Sequence, residues 1–294
     1  PPPSPPPPSP PQPAAPPSPP PPPDLPPFPP PPHQPLQVTA EGLSLSDALA
    51  HAQEGDGATG KPIRITIAAH TQHLNLPPLT FDNRTAASEL WLAAEAVGTG
   101  VIVSGAAGEA APLLTIRDGA HVHLESLHLI GALRVEGGVL EVRSCILAGP
   151  NAESDATGGS ETVIAGSHDG MRALHTSGGQ VVVQRCRLVG HTTGAIAVTA
   201  GLLTLISVEV SDNVALRGGG ITVSGGEVRI VSSLLQRNTA IERGGGLYAE
   251  GGLIALSNKT LFSHNVAHGE GSSLYLADSS FIRGVSYSLP SPMS

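Results

Sequence analysis

Three stretches of this chain share one pattern: NVALRGGGI at 213–221, NTAIERGGGL at 238–247 and NVAHGEGSSL at 265–274. Their first residues lie 25 and then 27 positions apart. Self-similarity at a fixed period of this size is typical of solenoids, in which each repeat forms one coil. The segments between the stretches alternate apolar and polar residues, as in LTL at 203–205 and VRI at 228–230, and this is the period of a β-strand. The sequence therefore predicts a coil that is built of strands.

Equivalent apolar positions align from residue 120 onward. They form three inward columns, in each of which apolar residues of successive coils stack on one another. The columns are Val122, Leu140, Val181, Leu203 and Val228; Leu124, Val142, Val183, Leu205 and Ile230; and Leu129, Leu147, Leu188, Val210 and Leu235. A second strand in each coil supplies apolar pairs such as Leu133 with Val135 and Ile221 with Val223. Earlier, less regular strands are predicted at 63–67, 90–92 and 101–103. The fold class is all-β.

Glycine and asparagine mark the turns of each coil. The glycine runs, Gly218, Gly219 and Gly220 and then Gly244, Gly245 and Gly246, are predicted to be structural, and so are the arginines that precede them. Asn213, Asn238 and Asn265 are predicted to form an inward ladder at another turn, with each amide bonded to the backbone above and below.

The N-terminal part has a different composition. Residues 1–36 are mostly proline and are predicted to form a disordered polyproline II arm. Residues 37–60 hold one short amphipathic helix, with a capping box at Ser44 and Asp47 and a stop at Gly55. Because a β-solenoid must cover its open apolar end, this helix is the predicted cap of the solenoid, which spans 61–294 with an insert at about 150–171.

Composition argues against two classes of partner. The formal net charge is −9 and Lys61 and Lys259 are the only lysines, so nucleic acid is not an expected partner. No apolar run approaches the roughly 20 residues of a membrane-spanning helix.

The column of N-x-A, followed by R-G-G-G and then Ile or Leu, is similar to the Phe-x-x-Asn and Gly-Gly-Ala-Ile repeats of chlamydial polymorphic outer-membrane proteins. Only Phe262 keeps the phenylalanine three residues before the asparagine. More broadly, residues 100–280 resemble the right-handed parallel β-helix, or pectin-lyase-like, superfamily, and this resemblance implies a right-handed coil. The Ser-Pro-Pro-Pro-Pro units of the arm resemble hydroxyproline-rich (extensin-like) wall glycoproteins and imply an extracellular or cell-surface location.

Cys145 and Cys186 fall at the same position of consecutive coils. Strands about 4.8 Å apart place stacked Cα atoms within the range of a disulfide. Two interpretations stay open: a disulfide that closes the long coil between them, or two reduced cysteines that serve as small core residues.

The insert and two sequons hold further candidate residues. Asp155, His168 and Asp169 of the insert are candidates for cation binding or for acid and base roles, against the alternative of a solvated insertion. Asn83 and Asn258 begin N-glycosylation sequons, which matter only on the secretory path.

His121, His123 and Glu125 alternate with inward residues and point outward together, as metal ligands would. The next coil, however, places Glu141 beside His123 and Arg143 beside Glu125, which satisfies these side chains by cross-strand pairing. No metal site and no cofactor are predicted.

Tyr248 and Tyr275 occupy one outward column in successive coils, so their rings are predicted to stack. Such a pair suits sugar binding, and it also serves as ordinary stabilisation of a sheet. The catalytic motifs of the pectin-lyase-like enzymes are missing from the sequence.

These observations favour a non-catalytic extracellular or cell-surface protein, displayed on a proline-rich stalk, that acts in adhesion or binds a matrix or wall polysaccharide. Its partners would be a polysaccharide or a surface or matrix protein. The alternatives are a polysaccharide lyase or glycoside hydrolase that works through the insert, and a structural rod that associates with itself.

Overall fold

The structure is a computed structural model that describes residues 35–38, 47–49, 62–68, 73–82, 89–95, 101–105, 112–148, 172–257, 259–277 and 281–284. The fold is all-β, and the strands pair in parallel in three sheets. Successive strands of one sheet come from successive repeats of the sequence, an arrangement that is compatible with the predicted β-solenoid.

Sheet A is the largest of the three sheets and contains sixteen strands. They are β1 (Pro35–Val38), β2 (Ile63–Ile67), β4 (Leu79–Phe81), β5 (Glu89–Ala94), β7 (Leu114–Ile116), β8 (His121–Glu125), β10 (Leu133–Val135), β11 (Val139–Arg143), β13 (Leu174–Gln184), β15 (Ile196–Ile206), β18 (Ile221–Val223), β19 (Glu227–Val231), β22 (Leu247–Ala249), β23 (Leu253–Leu256), β26 (Leu274–Leu276) and β27 (Phe281–Gly284).

Sheet B contains eight strands and sheet C three. Sheet B is formed by β3 (His73–Leu76), β6 (Ile102–Gly105), β9 (His128–Ile130), β12 (Ile146–Ala148), β14 (Arg187–Val189), β16 (Glu209–Ser211), β20 (Leu234–Gln236) and β24 (Leu261–Ser263). Sheet C is formed by β17 (Val214–Arg217), β21 (Thr239–Arg243) and β25 (Val266–Ala267).

Each coil gives sheet A two strands. The chain runs from β8 in sheet A to β9 in sheet B, returns to sheet A as β10 and continues into β11. In β13 and β15 the two strands of one coil join through a glycine corner into a single 11-residue strand. From β16 onward a strand of sheet C is added between sheet B and sheet A.

The core lies between the sheets and includes the three predicted inward columns, which are confirmed. Leu140 pairs with Val122 on one side and with Val181 on the other, and the same register continues to Leu203 and Val228. All members of the three columns are buried, and Phe262 extends the third. Because each coil contributes only a few apolar side chains, the core depends on this continuous stacking.

Sheet C was not predicted. Residues 214–217 and 239–243, for which no strand is predicted, form parallel strands with Val214 opposite Thr239 and Ala215 opposite Ala240. The following glycines are structural, as predicted. A Cβ at Gly219 would come within 2.6 Å of the carbonyl oxygens of Gly245 and Thr239, so no larger residue fits there.

The N-terminal predictions fall largely outside the described residues. The polyproline arm lies there except for its last two residues, which belong to β1. Of the predicted helix, residues 47–49 are described; they are helical, and Ala48 and Leu49 are buried in the core. The capping role of this helix stays a prediction.

Candidate binding face on sheet A

One row of outward side chains runs along sheet A. On one side of each coil, a residue whose two neighbours point into the core points out. The registers place these residues in a single row, here called the outward column: Thr115, Arg134, His175, Ala197, Thr222, Tyr248 and Tyr275. Neighbours in this column are separated by about 4.8 Å, the spacing of strands in a sheet.

The C-terminal end of the outward column carries the predicted tyrosine pair. The rings of Tyr248 and Tyr275 are stacked, with centroids 5.4 Å apart and an interplanar angle of 7°. The guanidinium of Arg217 lies 5.6 Å from the ring centre of Tyr248, and that of Arg243 lies 4.9 Å from the ring centre of Tyr275. These distances are typical of cation–π contacts.

The two tyrosines differ in exposure, and their ligand role stays a prediction. Tyr248 is only 4% exposed and its hydroxyl donates a hydrogen bond to Glu250 at 3.0 Å, whereas Tyr275 is half-buried. Burial and the bond to the Glu250 carboxylate raise the pKa of Tyr248. The ring of Tyr248 therefore supports the ring of Tyr275, and Tyr275 is the member that presents ring surface to solvent.

Glutamates of sheet C and of the segment that follows it hold the two arginines in place. Arg217 Nε lies 2.6 Å from a carboxylate oxygen of Glu242, and Arg243 Nε lies 3.3 Å from one of Glu270. In each pair the glutamate comes from the next coil, so the pairs form a ladder along the stack of strands. Pairs at this exposure contribute little to stability, but they fix the direction of the guanidinium groups.

The N-terminal half of the outward column borders a cleft of about 250 Å³. Arg134, Arg172 and His175 line it together with apolar residues, which are Pro112, Ala132, Leu133 and Ala197. Nη1 of Arg172 donates hydrogen bonds to the carbonyl oxygen of Ile196 at 3.1 Å and to Thr222 Oγ1 at 2.9 Å. The cleft thus has a cationic wall that is anchored to the backbone of sheet A.

Burial and neighbouring positive charges both lower pKa values in this cleft. Burial lowers the pKa of Arg172 and of His175, and the positive charges of Arg134 and Arg172 lower the pKa of His175 further, while Glu136 opposes them. His175 is therefore neutral at pH 7, and arginine keeps its charge at any such pH. Arg134 Nε lies 3.3 Å from a carboxylate oxygen of Glu136.

Sequence reasoning missed Arg134, Arg172 and His175. Arg134 and His175 stand at the same strand position as Tyr248 and Tyr275, so extending the tyrosine column toward the N-terminus would have found them. Arg172 precedes its strand, and no repeated motif marks it.

A second cluster lies on the other outward row of sheet A, around His123. His123 Nδ1 is 3.2 Å from Glu141 Oε2, as the predicted cross-strand pairing requires, and Nε2 is 2.8 Å from Glu89 Oε1. The ring of Trp91 stacks on His123 with centroids 3.9 Å apart, and its Nε1 donates to Glu89 at 2.9 Å. Glu89 and Trp91 were not foreseen. Among the described residues, no group of three or more His, Cys, Asp or Glu side chains is placed to hold a metal ion.

The asparagine ladder has the predicted form. Asn213 Nδ2 donates to the carbonyl oxygen of Leu188 at 3.0 Å and to Asn238 Oδ1 at 2.9 Å, and the N–H of Asn213 donates to the same Oδ1. Asn238 repeats the pattern with Val210 and Asn265.

His191 occupies the next position of this ladder toward the N-terminus. Its N–H donates to Asn213 Oδ1 at 3.0 Å, and its Nε2 lies 3.2 Å from the carbonyl oxygen of Leu147. Within the described chain Nδ1 has no hydrogen-bond partner. Burial lowers the pKa of His191 to about 4. Its distance of three residues after Leu188 in the third inward column is the signal that would have identified it.

The two cysteines are free and buried, so the disulfide interpretation is corrected in favour of two thiols. Both sulfurs make equivalent bonds along the coil. The Sγ of Cys145 accepts the N–H of Leu127 at 3.4 Å, and the Sγ of Cys186 accepts the N–H of Cys145 at 3.3 Å. Burial raises the pKa of the Cys186 thiol, which favours its protonated form.

The remaining candidates, Asp155, His168, Asp169, Asn83 and Asn258, lie outside the described residues. Comparison with protein-family models, with curated proteins and with solved structures found no match for this chain. In the part of the chain that the structure describes, no helix is both long and apolar enough to cross a bilayer.

Proposed function

We propose that this chain is a right-handed parallel β-helix of the pectin-lyase-like kind that acts as a non-catalytic, extracellular or cell-surface protein and binds a polysaccharide. The observation that carries the proposal is the outward column of sheet A, which aligns a solvent-facing aromatic ring with a cationic cleft along the axis of stacking. The resemblance of the arm to wall glycoproteins supports the location.

The outward column suits an extended sugar chain for two reasons. Tyr275 offers a half-buried ring that stacks on the neighbouring ring of Tyr248, and an aromatic ring can pack against the C–H groups of a sugar. Arg217 and Arg243 beside the rings provide hydrogen-bond donors whose direction is fixed by Glu242 and Glu270. Rigid aromatic anchors with oriented donors lose little entropy on binding.

Retention on immobilised polysaccharides tests this proposal. Wild-type protein and the Tyr275→Ala variant are applied to a panel of acidic and neutral polysaccharides, and both retained protein and cleaved chains are measured. We expect retention without cleavage, and weaker retention of Tyr275→Ala. The matched control is Leu261→Ala, which removes exposed apolar surface from sheet B.

Three results would contradict it. Equal retention of Tyr275→Ala and wild type on every polysaccharide would exclude the tyrosine end as a binding site. Cleavage of the chains would favour the enzyme alternative, in which Asp155 and Asp169 of the insert are the residues to replace. Retention on a surface protein in place of every polysaccharide would make the chain an adhesin for protein.

A separate observation favours self-association as a second candidate function. Sheet C exposes four large apolar side chains on adjacent strands: Val214, Leu216, Ile241 and Val266. Leu216 is 56% exposed and Ile241 54%. Single exposed apolar residues are normal, but a contiguous group on one sheet is a typical contact surface between protein molecules.

Sedimentation tests this second candidate. If sheet C of one molecule packs against sheet C of a second copy, the exposed apolar side chains of both molecules become buried. We expect the sedimentation coefficient to rise with protein concentration and the double variant Leu216→Ser, Ile241→Ser to stay monomeric. A wild-type protein that remains monomeric at every concentration would exclude the candidate.

A further inference from the structure

Among the described residues, positive charges outnumber negative charges at the cleft that contains Arg172. Two guanidinium groups, those of Arg134 and Arg172, face one described carboxylate, that of Glu136. The chain as a whole has a formal net charge of −9. The net negative charge of the protein repels anions in general, whereas a local excess of positive charge attracts them to this cleft.

Arg172 is the central residue of the cleft. The hydrogen bonds that the described chain gives it go from Nη1 to neutral acceptors, the carbonyl oxygen of Ile196 and the hydroxyl of Thr222. No described carboxylate forms an ion pair with it. These bonds orient the guanidinium without neutralising its charge, and they leave donors on Nε and Nη2. A half-buried cation that lacks a counterion within the described residues is costly, and the cost falls when an anion binds.

The remainder of the lining fits a sugar. Pro112, Ala132 and Ala197 present apolar surface, which matches the C–H face of a sugar ring, and neutral His175 can donate and accept a hydrogen bond at pH 7. The volume of about 250 Å³ lies just below the usual range of ligand pockets, roughly 300–1,000 Å³, and this size suits a single sugar residue of a longer chain.

We infer that this cleft binds one anionic substituent, a carboxylate or a sulfate ester, on a sugar residue of the polysaccharide, through Arg172 and Arg134. The inference rests on the proposed polysaccharide binding and narrows it to acidic polysaccharides. Arg172 receives the anion with its Nε and Nη2 donors, which no described residue occupies, since guanidinium groups bind carboxylate and sulfate oxygens in pairs. Arg134 adds a second charge at the rim.

Calorimetric titration with four probes tests the inference: galactose, galacturonic acid, galactose 6-sulfate and inorganic sulfate. The proteins are wild type, Arg172→Met, Arg134→Met and, as a matched control, Arg229→Met. Arg229 is exposed and pairs with Glu227 on β19, away from the cleft, so its variant removes the same charge elsewhere on sheet A.

We expect wild type to bind at least one of the two acidic sugars about tenfold or more tightly than galactose, the ratio that one charge-assisted contact provides. Arg172→Met and Arg134→Met should lose this preference, and Arg229→Met should keep it. The two acidic sugars separate a carboxylate-bearing source from a sulfated one. Because Arg172 also contacts backbone, Arg134→Met gives the answer if Arg172→Met fails to fold.

Two results would overturn the inference. The first is equal affinity for galactose and both acidic sugars, and the second is an equal loss in Arg229→Met and Arg134→Met. The test also separates this inference from the proposed function. If the protein is retained on polysaccharides but shows no preference for acidic sugars, the cleft is not the anion site and the proposed function still stands. If it binds an acidic sugar tightly but is retained on no polysaccharide, the cleft is an anion site and the proposed function is wrong.

Discussion

The stacked coils differ in width on one side: the coil of β9 and β10 is narrow, and the coils after residue 207 are wide. In the narrow coil, β9 of sheet B is joined to β10 of sheet A by residues 131 and 132 alone. In the wide coils this connection runs through residues 212–220 and 237–246 and includes the strands of sheet C. The asparagine ladder lies in the wide coils, and Ala132 stands at the equivalent position of the narrow coil.

This difference teaches how the same inward columns support coils of different width. The three columns continue through both regions, so the widening is confined to the side between sheets B and A. The additional backbone of the wide coils needs hydrogen-bond partners, and the asparagine amides and sheet C provide them. The cationic cleft borders Ala132 of the narrow coil and Arg172 of the next, so it lies where the coil begins to widen.

The largest effect is expected from breaking the ladder in a wide coil. Asn238→Leu removes an acceptor of two bonds from Asn213 and leaves the carbonyl oxygen of Val210 without its amide donor. We expect the free energy of unfolding at pH 7.5 to fall by about 3–5 kcal/mol, because several buried polar groups lose partners at once. Urea denaturation measures it.

The control for this change is Gln236→Leu, two residues earlier on sheet B. Gln236 is half-buried and its amide donates to Glu209 at the surface, so its loss should cost less than about 1 kcal/mol. Equal destabilisation by the two variants would mean that the ladder does not hold the wide coils together.

The next effect compares one glycine from each region. Gly219→Ala in a wide coil places Cβ within 2.6 Å of two carbonyl oxygens, and we expect a loss of about 2–3 kcal/mol. Gly137→Ala in a narrow coil meets only the backbone nitrogen of Asp118 at 3.5 Å, so its effect should stay within about 1 kcal/mol. Thermal denaturation of both variants checks the order, and a reversed order would contradict the described packing of sheet C.

A third change acts at the boundary between the regions and depends on pH. The folded-state pKa of His191, about 4, lies below the ordinary value of 6.5, so the unfolded chain binds a proton that the folded chain does not. Above pH 6.5 His191 is neutral in both states and does not lower the free energy of unfolding. As the pH falls toward 4, protonation of the unfolded chain lowers this free energy. At pH 5 the loss is about 2 kcal/mol.

His191→Asn should remove this loss and extend the ladder by one residue. We expect the variant to be more stable than wild type at pH 5 by about 2 kcal/mol, and the difference to shrink near pH 7.5. Urea denaturation at both pH values tests this expectation. A difference that is the same at both would show that His191 is not buried in its neutral form.

The smallest effect is expected at the thiol of the long coil. Cys186→Ser keeps an acceptor for the N–H of Cys145, as Ser233 does for Val208 in a wide coil, so the change should cost about 1 kcal/mol or less. Cys186→Ala leaves that N–H unpaired and should cost about 1–2 kcal/mol more. If serine and alanine destabilise equally, the sulfur is not an acceptor in this corner.

The inward columns could be predicted from the sequence in narrow and wide coils alike, whereas sheet C of the wide coils could not, and the reason is physical. Apolar residues must stack on apolar residues at inward positions. The alternation of apolar and polar residues and the repeat period therefore identify Leu203 as the neighbour of Val228 without a structure. Sheet C was missed because Val214 and Ile241 face solvent and their strands bury only small residues, which leaves no apolar alternation to detect.

The candidate site was foreseen in part. The stacking of Tyr248 and Tyr275 followed from register alone, but the burial of Tyr248 depends on the side chains of Arg217 and Glu250, whose directions no pattern specifies. The cleft depends on Arg172, which follows the insert and belongs to no repeat, so sequence periodicity carries no information about it.

The central claim is that the outward column is one face that a single polysaccharide chain occupies from Arg134 to Tyr275. Five strand steps separate these residues, a distance of about 24 Å. The most direct test is the affinity of acidic oligosaccharides of increasing length for wild type and Tyr275→Ala. The account predicts that affinity rises until an oligosaccharide spans both ends and then levels off, and that Tyr275→Ala weakens only the long ones. An affinity that does not depend on length, or an equal loss for short and long oligosaccharides, would contradict it.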